Sequence, residues 1–219
     1  MTSRGGRHVR PDDIERFEAE GGPPREEDAA AGHVSVGAAF GQGQIGIAVL
    51  QDEGPPDSAG SGDESQRPGV ERHYTARRLE RLPAAPGEEI IDALCTVLAE
   101  VGPLETRPDI YIDVADGGSD LLGALEARHL PARVWSVAVT FGDEYEVNDR
   151  EVRAGKQALL SRLYILLRDG QLHLPPDPRF VELKDLLPQP EDLRLENDPV
   201  VKAIALALHG LPRRPWGPL

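Results

Sequence analysis

The stretch Asp109-Ile110-Tyr111-Ile112-Asp113-Val114-Ala115-Asp116-Gly117-Gly118 decides how this chain is read. A β-branched and aromatic run ending in acidic residues and glycines is how an α/β sheet carries side chains to the carboxyl ends of its strands. Asp113 lies inside the apolar run. A carboxylate is costly to bury there unless a metal ion, a cation or hydrogen-bond donors meet it, so Asp113 demands a partner. Two readings stand: a metal ligand at a functional site, or a structural acid held by backbone donors at a strand end.

Glu88 to Val101 places Ile91, Leu94, Cys95, Leu98 and Val101 at helical spacing, and Gly102-Pro103 follows where a helix stop belongs. Beyond the central strand, Ser119 is expected to cap a helix carrying Leu121, Leu122 and Leu125 and ending near His129. Arg133 to Thr140 reads as the next strand, with Trp135 packed against the sheet. Further toward the N-terminus, Val34, Val36 and Ala38 alternate, Gly41-Gln42-Gly43-Gln44 turn, and Ile45 to Leu50 run apolar, which predicts a β-hairpin. His73 to Leu82 supplies a third strand, ended by Pro83 to Pro86.

On the other side, Asp149 to Arg168 reads as the clearest helix, with Val152, Leu159, Leu163, Leu166 and Leu167 on one side and Gly170 ending it. Leu172 to Leu174 is a short extended segment, and Phe180 to Leu187 a further strand or turn. Asp198-Pro199 opens a last helix that runs through Val200, Val201, Ile204, Ala205 and Leu208 to His209-Gly210. This order predicts an α/β layout with a mixed sheet. Residues 1–32 are expected to form a mobile acidic arm, 51–70 a disordered insertion loop and 211–219 an irregular tail.

The chain has 219 residues, 24 Lys and Arg against 38 Asp and Glu, and a formal net charge of −14. That balance argues against indiscriminate nucleic-acid binding, which draws on clustered Lys and Arg. The small clusters Arg77, Arg78, Arg81 and Arg213, Arg214 read as solvated surface charge. A single cysteine, Cys95, excludes an intramolecular disulfide and a multi-thiolate zinc site. With no apolar run of signal-peptide or bilayer length, a soluble cytoplasmic protein without a membrane partner is expected.

A carboxylate at the end of a central strand, facing another on a helix that enters the same edge, is an arrangement that holds Mg²⁺ or Mn²⁺. Two such ions support phosphodiester hydrolysis. Asp113 and Asp198 form the best pair, with Asp116, Asp143 and Asp120 as secondary candidates on neighbouring loops. Asp198 before Pro199 also suits a helix cap with no other purpose, and Asp116 and Asp120 suit a turn and an acidic first helical turn. His8, His33, His73, His129, His173 and His209 show no metal-ligand spacing, and Ser35, Ser119 and Ser136 sit in no nucleophile elbow.

The motif order resembles the C-terminal nuclease domain of phage terminase large subunits, a ribonuclease-H-like fold. Tyr74-Thr75-Ala76-Arg77-Arg78-Leu79-Glu80-Arg81-Leu82-Pro83 is similar to the family's "hLeRlp" strand, and Asp109 to Gly118 to its strand bearing the second metal-binding Asp. Val139-Thr140-Phe141-Gly142-Asp143 resembles "iTgGd", and Lys156 to Ser161 through Gly170-Gln171-Leu172 resembles "KrdLvs.Lq.lLqsgrL". Asn197-Asp198-Pro199 through Ala207 resembles "HDDLvlAvALA". The resemblance spans His33 to about His209. It implies a ribonuclease-H-like mixed sheet flanked by helices over 33–210. It also implies Mg²⁺- or Mn²⁺-dependent DNA endonuclease chemistry on Asp113 and Asp198, with Asp116 or Asp143 assisting.

The family's first-strand Asp, in a pattern like "vDlGq", falls at Ala39, and Asn197 and Pro199 replace further polar residues of the last motif. The resemblance therefore implies a phage or prophage DNA-processing protein whose cleavage activity is weakened or lost. The alternative is a non-catalytic binding or assembly protein on the same fold; an active enzyme using a shifted carboxylate is a third reading. DNA, phage packaging proteins and a separately encoded ATPase are the implied partners. The chain has no Gly-x-x-x-x-Gly-Lys-Ser/Thr phosphate loop, so neither a nucleotide cofactor nor motor activity is expected of it.

Overall fold

The computed structural model describes residues 32–54, 72–83, 87–100, 107–114, 118–128, 130, 132–140, 145–176 and 198–211. Gln42 and Gly43 both take positive φ, 54° and 70°. That turn reverses the chain between β1 (Val34–Gly41) and β2 (Gln44–Gly54), as a two-residue hairpin requires. Strand β3 (His73–Pro83) adds antiparallel to β2. Helix α1 (Gly87–Glu100) then leads to β4 (Asp109–Asp113), which pairs parallel with β1.

Helix α2 (Gly118–Ala127) connects β4 to its parallel neighbour β5 (Arg133–Thr140). A second hairpin, β6 (Tyr145–Asn148) and β7 (Glu151–Gly155), joins β5 through a parallel β7. Helix α3 (Lys156–Arg168), a two-residue β8 (Leu172–His173) on β3, and helix α4 (Pro199–His209) complete the described chain. The eight strands lie in the order β6-β7-β5-β4-β1-β2-β3-β8. An antiparallel three-strand meander whose first strand is then joined by parallel strands, with helices on both faces, is the ribonuclease-H-like mixed sheet that the motif order implied.

Alternation sorts the side chains. Val36, Ala38, Ile47, Val49, Ile110 and Ile112 pack on one face against Ile91 and Leu94 of α1 and Leu121 and Leu125 of α2. Ala39, Ala48, Tyr111, Trp135 and Val137 pack on the other against Leu163 of α3 and Val200, Ile204 and Leu208 of α4. Central strands covered on both faces explain why β1 is buried along its length and not only at alternate positions. Cys95 is half-buried at the margin of the first cluster.

The expected helix over Asp149–Arg168 is corrected at its N-terminal part: residues 151–155 are strand, and the helix begins at Lys156. Val152 and Ala154 point inward while Glu151 and Arg153 point outward, a period-two pattern too short to stand out beside the longer helical one. Asp149, at φ 55°, makes the turn. Ser119 is corrected from a cap to a residue within α2, its hydroxyl donating to the Val114 carbonyl at 3.3 Å.

The expected loop at 51–70 begins later than predicted, because Gln51 to Gly54 belong to β2. Asp52 is fully buried there. Its carboxylate accepts from Gly54 N at 2.8 Å and from Arg72 Nη2 at 2.6 Å, so a residue that reads as loop acid is a closed ion pair. Leu211, expected in the tail, is buried. The expected arm through residue 31, the Phe180–Leu187 segment and the tail beyond 211 lie outside the described residues. No helix among those described is long and apolar enough to cross a membrane.

Arg162 of α3 donates to the carbonyls of Leu208 and Leu211, satisfying the C-terminal end of α4. It also lies beside Tyr74. Burial raises the Tyr74 phenol above its usual 10.0, Arg162 and Arg72 oppose the shift, and Asp52 adds to it. The folded chain thus keeps this proton where the unfolded chain has lost it. The stability it contributes is full below pH 10 and lost as pH rises through the folded value. Tyr74→Phe is expected to flatten the alkaline fall in stability, measured by urea unfolding at a series of pH values above 9.

Candidate functional site

Glycine and alanine on one face of the β1–β2 hairpin bring α4 unusually close to the sheet. A Cβ on Gly37 would overlap the Ala203 carbonyl, and one on Gly46 the Pro199 carbonyl. The helix therefore lies directly on the strand backbones and runs antiparallel to β1. Its first turn arrives at the carboxyl end of β1 and β4, the crevice where one neighbouring connection turns each way and where α/β sheets place their ligands.

Two of the predicted residues stand on the elements that reach this edge. Asp113 ends β4 with 1% of its surface exposed. Asp198 caps α4, its Oδ1 accepting from Val200 N at 2.8 Å and Val201 N at 3.2 Å. The capping reading is thus observed for Asp198, and Pro199 occupies the first helical turn where its missing N–H costs nothing. The other Asp198 oxygen is bound by Arg81 of β3.

Lys202 links the two elements. It lies one helical turn after Asp198, and its ammonium donates to the Phe40 carbonyl at 3.0 Å and stands 3.7 Å from Asp113 Oδ2. Ala39 lies one residue beyond the Ala38–Ile112 register pair, so it is the β1 neighbour of Asp113 on the same sheet face. The first-strand position therefore contributes a methyl where an oxygen ligand is expected. Asp120 is exposed in the first turn of α2. Asp116 and Asp143 lie outside the described residues.

Among the described residues, no three His, Cys, Asp or Glu side chains are grouped to hold a metal ion. Charge decides whether the edge as described fits a divalent cation. At an effective dielectric of ~20, a doubly charged ion about 4 Å from one carboxylate gains about 8 kcal/mol, and the same ion about 4 Å from an ammonium loses about as much. Lys202 thus cancels what Asp113 offers, and Arg81 with the helix-capping bonds occupies Asp198. Among the described residues, this donor set by itself does not fit a Mg²⁺ or Mn²⁺ pair.

The other acid of the central strand has a different role. Asp109 is fully buried and accepts from Arg133 Nη2 at 2.7 Å and Trp135 Nε1 at 2.9 Å, with His33 Nε2 at 3.3 Å. It is a structural acid, held by side-chain donors at the start of β4.

Sequence reasoning passed over Lys202 and set Arg81 aside as surface charge. The signal for Lys202 was present: it is the one Lys or Arg in the apolar helix Pro199–His209, and the only residue of that helix not fully buried. His73 and His173, which share no sequence spacing, come within 3.3 Å across β3 and β8.

No family model matches this chain, and none of the curated proteins does. Among solved structures it is similar to Thermus thermophilus RuvC, with 16% identity, 80% of this chain and 91% of that one covered, and a TM-score of 0.39. It is also similar to the human cytomegalovirus terminase nuclease domain, with 11% identity, 92% of this chain and 94% of that one covered, and a TM-score of 0.47.

Proposed function

We propose that this chain is a DNA-processing protein of the terminase-nuclease kind, from a phage or prophage, in which Mg²⁺- or Mn²⁺-dependent cleavage is weakened or lost. The observation that carries the reading is the Lys202 ammonium 3.7 Å from Asp113, at a strand edge where the neighbouring position is Ala39. The motif order, the arrival of α4 at the carboxyl edge of β1 and β4, and the reach of Lys202 from that helix to Asp113 support descent from a nuclease site. The pairing of each described carboxylate of this edge with a cation, Asp113 with Lys202 and Asp198 with Arg81, supports the loss of its chemistry. Packaging proteins and a separately encoded ATPase are the partners this reading assigns.

The second reading, a non-catalytic binding or assembly protein, is favoured by the net charge of −14. One experiment separates them. Purified protein is incubated with supercoiled plasmid and Mn²⁺ or Mg²⁺ beside an Asp113→Ala, Asp198→Ala double variant, and duplex and branched DNA are titrated by fluorescence anisotropy. Salt-sensitive DNA binding with little or no cleavage is expected. Vigorous cleavage that disappears in the double variant would sink the claim of lost chemistry. Absence of DNA binding leaves the assembly-protein reading in its place.

A further inference from the structure

We propose that Lys202 is a built-in cation: its ammonium stands where a nuclease site of this layout holds a divalent ion, and it keeps such ions off Asp113. The inference rests on reading this edge as a nuclease-derived site, and it adds the group that replaced the metal. Three observations carry it. Lys202 interrupts a helix otherwise buried along its length, a costly placement unless the charge is met. It is met at two points, by the Phe40 carbonyl at the end of β1 and by Asp113 at the end of β4. A metal ion ligated from these two strands would draw its oxygens from the same two places.

The third observation is Ala39. An Asp beside Asp113 would set two carboxylates against one ammonium and restore an attraction for a second cation. With alanine, the two described carboxylates of this edge each face a cation: Asp113 with Lys202, Asp198 with Arg81. A metal site needs its ligands in place before it gains affinity, whereas a tethered ammonium is always present at its own site. The edge therefore keeps its shape whatever the supply of divalent ions.

The test is chemical rescue read by thermal melting, with no DNA present. The wild-type melting temperature is expected to be the same in EDTA and in millimolar Mn²⁺. Lys202→Ala is expected to melt lower in EDTA and to recover a large part of the loss in Mn²⁺, because the ammonium no longer opposes a divalent cation beside Asp113. Ala39→Asp, Lys202→Ala is expected to bind Mn²⁺ more tightly than the single variant. Ala39→Asp alone, with Lys202 present, serves as a folded reference should the others be too unstable, and it is expected to show a weaker Mn²⁺ shift than the double variant. A wild-type Mn²⁺ shift abolished by Asp113→Asn overturns the proposal, as does a Lys202→Ala protein that Mn²⁺ leaves unrescued. Plasmid cleavage by the wild type bears on the function reading alone, so the two can fail separately.

Discussion

Lys202→Met is expected to lower the unfolding free energy by about 3–5 kcal/mol, a fall in melting temperature on the order of 10 °C. Asp113 is 1% exposed, and the substitution leaves its carboxylate without the ammonium at 3.7 Å while Phe40 loses its donor at 3.0 Å. Methionine keeps the length of the side chain, so the loss reports charge and not volume. The double variant Asp113→Asn, Lys202→Met removes both charges and is expected to be more stable than Lys202→Met alone. Urea unfolding of the wild type, the two singles and the double closes the cycle. A Lys202→Met cost within about 0.5 kcal/mol, the range of an ordinary surface change, would show that the ammonium is not the partner of Asp113.

Gly37→Val is expected to cost about 3 kcal/mol or more and to lift α4 from the sheet, disordering the edge that carries Asp198 and Lys202. A Cβ at this position meets the backbone of Ala203 and Ala207, which cannot rotate away as a side-chain end can. Gly123→Ala is the control. Gly123 sits exposed in α2 with open space where a methyl would be added, and there alanine is expected to stabilise by about 0.5–1 kcal/mol through helix propensity. Equal effects at the two sites, in denaturant unfolding, would show that the close helix–sheet contact carries no special cost.

Much of the fold was legible because its signals are local. The β-branched run ending in Asp113 marks a central strand, the Asp198-Pro199 pair starts a helix, and Gln42-Gly43 turns a hairpin; each was found where read. The β6–β7 hairpin was not legible. Its inward Val152 and Ala154 are fixed by pairing with β5 and β6, and the same residues blend into the helix that follows. Of the site, Asp113 was legible as an acid that needed a partner, because burial cost is read from its apolar neighbours.

The partner's identity was not legible. Lys202 and Arg81 reach Asp113 and Asp198 only because α4 lies flat on Gly37 and Gly46, a tertiary approach that no spacing within either segment encodes. Asp52 makes the same point from the other side. Set among Gly, Pro and Ser it reads as a loop acid, and only Arg72 across the β2–β3 pair makes it a buried one.

If the carboxyl edge of β1 and β4 carries its own cation, the wild-type protein has no place there for a divalent ion. Isothermal titration of Mn²⁺ into the wild type, with Asp113→Asn titrated alongside, measures this without any DNA or unfolding step. No saturable binding is expected in the wild type that the Asp113→Asn protein lacks. A stoichiometric Mn²⁺ site present in the wild type and missing from Asp113→Asn would contradict the assignment of Lys202 as the resident cation.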